Sequence, residues 1–144
     1  MYLYCHGGTQ GPQPTLRVGT ETESKIIGSD IQRVADWRRT RPLVFLNGCR
    51  TNAAEPQHAA AFLDVFVRYA RASGMIGTEI VTYERLAAGF AEVMLNAFVR
   101  NGQTMAASMR EARLALLAQG NPLGLIYTAY APPNLLMRST AELQ

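Results

Sequence analysis

The chain has 144 residues, 48% of them apolar and 17% charged, with a formal net charge of +3 at neutral pH. That size predicts one domain, spanning 1–144 and able to bury a sizeable core. The arginines are scattered apart from Arg38, Arg39 and Arg41. They do not form the basic, aromatic-interleaved stripe of a nucleic-acid surface, and no apolar run approaches the ~20 residues of a membrane span. The opening "MYLYCHGG" lacks the basic n-region of a signal peptide. Two cysteines, Cys5 and Cys49, are too few for a disulfide framework or a four-thiolate zinc site. Free thiols in a cytoplasmic protein are expected, with a single Cys5–Cys49 bridge as the alternative.

Tyr2 to Cys5 reads as a short strand stopped by Gly7-Gly8. Residues 9–28 are rich in Gly, Thr, Gln and Glu and read as a loop or poor hairpin, with weak strand character at Leu16–Val18 and Lys25–Ile27. Ser29 or Asp30 is the expected N-cap of a helix with Ile31, Val34 and Ala35 on one face. That helix must end before Pro42, because the residue preceding proline resists helical geometry. Leu43 to Leu46 is an apolar strand, and the loop "RTNAAEPQH" follows its turn.

A second helix carries Ala59, Leu63, Phe66, Val67 and Ala70 at helical spacing. "SGMIGTEI" is a further strand. Leu86, Phe90, Val93 and Ala97 mark a third helix. Met105, Met109, Ala112 and Leu116 mark a fourth, with Thr104 as N-cap, Gly120 in the left-handed cap position and Pro122 blocking continuation. "LGLIYTAYAPP" is the last strand. Strands alternating with helices predict an α/β fold with a mostly parallel sheet and helices on both faces.

In such sheets the working residues lie at the carboxyl ends of strands, and both His6 and Cys49 fall there. A thiol near its free pKa of ~8.5 is only a few per cent thiolate at neutral pH, so a cysteine nucleophile needs a base. Imidazole titrates in the right range. His6 is the candidate base, and His58, in a polar stretch at a helix start, is the only rival. The backbone N–H groups of Gly7 and Cys49 are candidate oxyanion donors if the two strand tips are neighbours. Cys5, inside an apolar strand, reads as a small buried hydrophobe, and Arg50 as a loop charge. A phosphate-binding α/β domain is disfavoured, since "HGGTQG" has the wrong spacing and no helix behind it.

Four stretches carry a family resemblance: "YLYCHGG", "PLVFLNGCRTN", "GMIGTEIVTYERLAAGFAEVML" and "MREARLALLAQGNPLGLIYTAYAPP". Together they resemble a CHAT domain, a caspase-like cysteine protease domain of clan CD, whose hallmarks are a strand ending in His-Gly and a later one ending in Asn-x-Cys. The matching residues here are His6-Gly7 and Asn47-Gly48-Cys49. The resemblance implies a caspase-like three-layer sandwich and a dyad of His6 as general base and acid with Cys49 as nucleophile. It also implies an oxyanion hole from the amides of Gly7 and Cys49. The implied reaction is hydrolysis of a peptide bond in a protein or peptide substrate, without metal or organic cofactor, in bacterial defence or regulated proteolysis.

The family's full domain has strands and helices before the histidine strand, whereas Met1 lies five residues before His6. The expectation is that the chain is the C-terminal portion of a larger domain or protein. Its expected partners are the remainder of that domain or a regulatory module. For substrate choice, Glu79 after the "MIGT" strand and Glu84 beyond it are the candidate carboxylates, favouring Arg or Lys at P1 through a charge-assisted pair. Glu84 has a competing reading as first-turn helix stabilisation. The alternative function is a catalytically silent caspase-like interaction module that needs a missing segment or partner.

Overall fold

A computed structural model describes residues 1–10, 13–18, 25–48, 56–80 and 82–137, with backbone alone at 9–10 and 56–59. The chain divides into two compact units. The first comprises Met1–Glu84 with Ile126–Tyr130, and the second Arg85–Leu125 with the residues from Ala131 onward.

The first unit is built on two sheets. The larger has the order β1–β5–β6–β7, formed by Tyr2–Tyr4, Leu43–Asn47, Gly74–Thr78 and Tyr127–Tyr130. β1 and β6 run parallel to β5, while β7 runs antiparallel to β6. This mixed, mostly parallel sheet is the expected α/β class and is compatible with a caspase-like sandwich.

The smaller sheet corrects the expectation of a loop or poor hairpin over 9–28. His6–Gln10 (β2), Gln13–Arg17 (β3) and Lys25–Ile27 (β4) form an antiparallel sheet in the order β2–β3–β4. Gly7-Gly8 therefore does not stop a strand. β1 ends at Tyr4, Cys5 is the joint, and the glycines continue in β2 opposite Leu16 and Thr15. Pairing partners decide strand formation here more than local propensity does. A Cβ on Gly8 would stand 3.3 Å from the Thr15 hydroxyl, so the absent side chain lets the two strands close up.

The core of this unit follows from strand alternation. Val44 and Leu46 of β5 and Met75 of β6 are fully buried on one face, together with Cys5 and with Leu16 of the small sheet. Phe62 and Phe66 cover them. These rings belong to α2 (Pro56–Leu63) and to its wider π-type continuation over Asp64–Tyr69, where Ala70 N–H bonds back five residues to the Val65 carbonyl at 3.0 Å. Trp37 stacks on Phe66 at 6.2 Å.

α1 (Gly28–Val34) starts two residues or more before the expected position, with Ile27 as N-cap rather than Ser29 or Asp30. Asp30 instead sits in the first turn, and its carboxylate accepts the Ile27 N–H at 3.1 Å. That satisfies one of the donors a helix start leaves over. Gly28 is required by packing, since a Cβ there would lie 2.9 Å from Val65 Cγ2 and 3.1 Å from the Pro14 ring.

The second unit holds the paired helices. α3 (Glu84–Leu95) buries Leu86, Ala87, Phe90, Ala91 and Met94 and continues as a π-type turn over Asn96–Arg100. α4 (Met105–Ala118) packs against that continuation. Its Thr104 cap is as expected, with the hydroxyl accepting the Ala107 N–H at 3.3 Å. Its end is a Schellman motif. Asn121 N–H bonds the Leu116 carbonyl, Gly120 N–H bonds the Leu117 carbonyl, and Gly120 adopts φ +74°. Leu123 to Ile126, expected as strand, belongs to a 3-10 turn over Pro122–Ile126 that precedes β7. Among the described residues no helix is long and apolar enough to cross a membrane.

Candidate active site

The site region is the carboxyl end of the parallel pair β1 and β5. Their register aligns Tyr2 with Phe45, Leu3 with Leu46 and Tyr4 with Asn47. One step on, the Cys5 N–H donates to the Asn47 carbonyl at 3.1 Å. Gly48 lies hard against Cys5, for a Cβ on Gly48 would fall 1.7 Å from the Cys5 carbonyl oxygen. The two strand tips thus touch backbone to backbone. The residues that come next along the two chain segments are His6 and Cys49.

Three side chains fix the β5 tip. The Thr78 hydroxyl, at the end of β6, donates to the Gly48 carbonyl at 2.5 Å. The fully buried Asn47 amide donates from Nδ2 to the Tyr2 hydroxyl at 2.9 Å, and its Oδ1 accepts from the Tyr127 hydroxyl at 2.7 Å. Asn47 thereby ties β1, β5 and β7 together at the level of the turn. A buried amide must find such partners or cost its desolvation. Burial, above all, pushes the Tyr127 phenol above its ordinary range, so it stays a donor across the physiological range.

His6 is exposed and opens β2, directly opposite Arg17 of β3. Gly7 is half-buried opposite Leu16. Cys5 is buried and free, and burial pushes its thiol up to about 12, as suits a packing residue and not a nucleophile. Residues 49–55, with Cys49 and Arg50 among them, lie outside the described residues. The alternative of a Cys5–Cys49 bridge involves Cys49 and so lies outside them too. His58 falls in α2, where the backbone alone is described.

Glu79 follows Thr78 directly and is exposed. Its N–H donates to the Ile126 carbonyl at 3.1 Å, and its carboxylate accepts the Thr128 hydroxyl at 2.6 Å. The same carboxylate adds to the effect of burial in raising the Tyr130 phenol. Glu84 is the exposed first residue of α3, where a carboxylate complements the helix N-terminus. The strand order puts β5 between β1 and β6. The segment leading to His6 and the one leading to Glu79 therefore flank the β5 tip on opposite sides.

Sequence reasoning named Asn47 only as part of a motif, without its anchoring role, and missed Thr78. Asn47 carried a usable signal, being an amide that closes an apolar strand and must be satisfied if buried. Thr78 carried none, since its hydroxyl reaches Gly48 only through the pairing of β6 with β5. Among the described residues two clefts lie elsewhere. One, of about 560 Å³, runs along α4 beside Gln103, Arg110 and Leu114, and the other, of about 200 Å³, lies between β3, α1 and the π-type segment. Among the described residues no cluster of three His, Cys, Asp or Glu side chains could hold a metal ion.

No protein-family model matches the chain. The chain is 43% identical, over 149 aligned positions, to a probable protease of Vitiosangium sp. (strain GDMCC 1.1324). The match covers 99% of this chain and 19% of that protein, so the chain spans about a fifth of the length of the curated relative it matches.

Proposed function

We propose that this chain is a caspase-like cysteine endopeptidase domain, with Cys49 as nucleophile and His6 as general base and acid. The observation that carries the reading is the contact between strand tips. Cys5 and Gly48 are locked together by the Cys5 N–H bond to Asn47 and by backbone contact, and the two reactive side chains follow them immediately in sequence. Similarity to a protein named as a probable protease supports the same reaction class.

In this mechanism His6 takes the Cys49 thiol proton, and the thiolate attacks the peptide carbonyl carbon. The oxyanion is met by the backbone N–H groups of Gly7 and Cys49. The imidazolium returns its proton to the leaving amine, the C–N bond breaks, and a thioester remains. Water, deprotonated by His6, then hydrolyses the thioester and regenerates the thiol. The rigid tip, clamped by Asn47 and Thr78, serves positioning, since a misplacement of about 1 Å can cost ~100-fold in rate. Glu79, one residue beyond Thr78, is the carboxylate that selects Arg or Lys at P1. Glu84 serves the α3 terminus.

The test is hydrolysis of fluorogenic peptides varied at P1 by wild type, Cys49→Ala, His6→Ala and His58→Ala. The expected result is cleavage by wild type and His58→Ala, and a loss of at least ~100-fold in the other two. Activity that survives Cys49→Ala overturns the nucleophile. Loss in His58→Ala but not in His6→Ala overturns the base. No hydrolysis by wild type on any peptide favours the catalytically silent module.

A further inference from the structure

The smaller sheet places a cation beside the candidate base that sequence distance concealed. His6 of β2, Arg17 of β3 and Lys25 of β4 are mutual cross-strand partners, as His6↔Arg17 and Arg17↔Lys25. Residues directly opposite in antiparallel strands project from the same face, with Cβ atoms about 4.5–5.5 Å apart. The three form one row across the sheet, and all three are exposed. The next row, Gly7, Leu16 and Ile26, turns the other way, with Leu16 in the buried core. The His6 row therefore faces solvent. Arg17 makes no ion pair among the described residues.

The proposed chemistry gives this row a direction. The base that protonates the leaving amine stands on the leaving-group side of the scissile bond. Arg17 is the immediate neighbour of that base on the same face. Glu79 lies across β5 from it, because β5 separates β1 from β6 in the sheet. A peptide laid across the β5 tip thus meets a carboxylate on its acyl side and a guanidinium on its amine side.

We propose that Arg17 is a primed-side specificity residue that binds an acidic side chain of the substrate within the first three positions after the cleaved bond. Lys25 extends the positive row away from the reacting atoms. Guanidinium suits the role, as it presents a planar fork of donors to a carboxylate and holds its charge at any working pH. The proposal rests on the dyad assignment for its orientation. The predicted substrate motif is amphoteric, with a basic residue before the cut and an acidic one shortly after it.

The test uses internally quenched peptides with Arg at P1 and Asp/Glu, Asn/Gln or Lys at each of the first three primed positions. Wild type should prefer the acid over its amide at one of these positions by about fivefold in kcat/KM. The preference should shrink at high salt, persist in Arg17→Lys, vanish in Arg17→Gln and turn toward Lys-bearing peptides in Arg17→Glu. Equal rates on acid and amide at all three positions, or a preference untouched by Arg17→Glu, overturn the proposal.

A binding arm separates this from the catalytic reading. Fluorescence anisotropy with Cys49→Ala, which leaves the row intact, should show the acidic peptide bound about fivefold more tightly than the amide. The same measurement on the Cys49→Ala, Arg17→Glu double variant should show no such gap. Binding that follows this pattern without any cleavage by wild type sinks the protease and keeps the acidic-peptide site. Binding indifferent to Arg17 sinks the site and leaves the protease standing.

Discussion

Replacing Gly48 with alanine would place a methyl carbon 1.7 Å from the Cys5 carbonyl oxygen, 2.8 Å from its carbon and 3.1 Å from its nitrogen. All three are backbone atoms, so no side chain can rotate out of the way. Reaching even 3.0 Å from that oxygen requires a shift of about 1.3 Å between the tips of β1 and β5. The Cys5 N–H bond to Asn47, at 3.1 Å, does not survive such a shift. Overpacking of this kind costs about 1–3 kcal/mol and the lost hydrogen bond about 1 kcal/mol more. A total of about 2–4 kcal/mol should lower the melting temperature of a chain this size by about 6–12 °C. Calorimetry or circular dichroism reads the shift, and under the proposed dyad hydrolysis of the peptide library should fall with it, because the displacement separates the strand tips that precede His6 and Cys49. An alanine variant that melts within about 2 °C of wild type and keeps its activity would refute the tip-to-tip contact on which the site is built.

Gly89→Ala tests the opposite sign. This glycine lies inside α3, and the nearest atom to a new Cβ is Leu116 Cδ2 at 4.0 Å, so the change should stabilise by about 0.5–1 kcal/mol in urea unfolding. Thr104→Ala removes the acceptor for the Ala107 N–H and should cost about 1 kcal/mol in the same measurement. Cys5 sets an alkaline limit. Its thiol is held up at about 12 against an ordinary 9.0, so above pH 9 the unfolded chain ionises first. The stability that burial of this neutral thiol contributes is complete below about pH 9 and lost as pH rises from 9 to 12, at up to about 1.4 kcal/mol per pH unit. Urea titrations of wild type and Cys5→Ala across that range should diverge, with the flatter curve in the variant.

How much was legible in the sequence depended on which partners an element needed. α4 was readable from end to end, because Thr104, the Met105–Leu116 stripe and Gly120 are local signals that tertiary structure had no cause to override. The apolar strand at Leu43–Leu46 was readable for its length and composition, and its parallel neighbours followed from the alternation of strands and helices. The small sheet was not readable. His6–Gln10 contains two adjacent glycines and Gln13–Arg17 contains a proline, residues that disfavour strands until a partner strand supplies the pairing. Missing that sheet hid the Arg17 neighbour of His6 and left substrate choice to Glu79 and Glu84 alone. Glu84 sits where its helix-capping reading put it. Asn47 was read as half of a motif, while its amide is the bolt through three strands.

The pairing of Cys49 with His6 is tested most directly by the pH dependence of Cys49 alkylation. Cys5 is 2% exposed, so iodoacetamide on the folded protein reads Cys49, and mass spectrometry assigns the site. With His6 as its base, Cys49 should react along a profile whose midpoint lies below the free-thiol value of ~8.5. His6→Ala should move the midpoint up to about that value and slow the reaction at neutral pH, while His58→Ala leaves it in place. Superimposable profiles for wild type and His6→Ala would contradict the dyad.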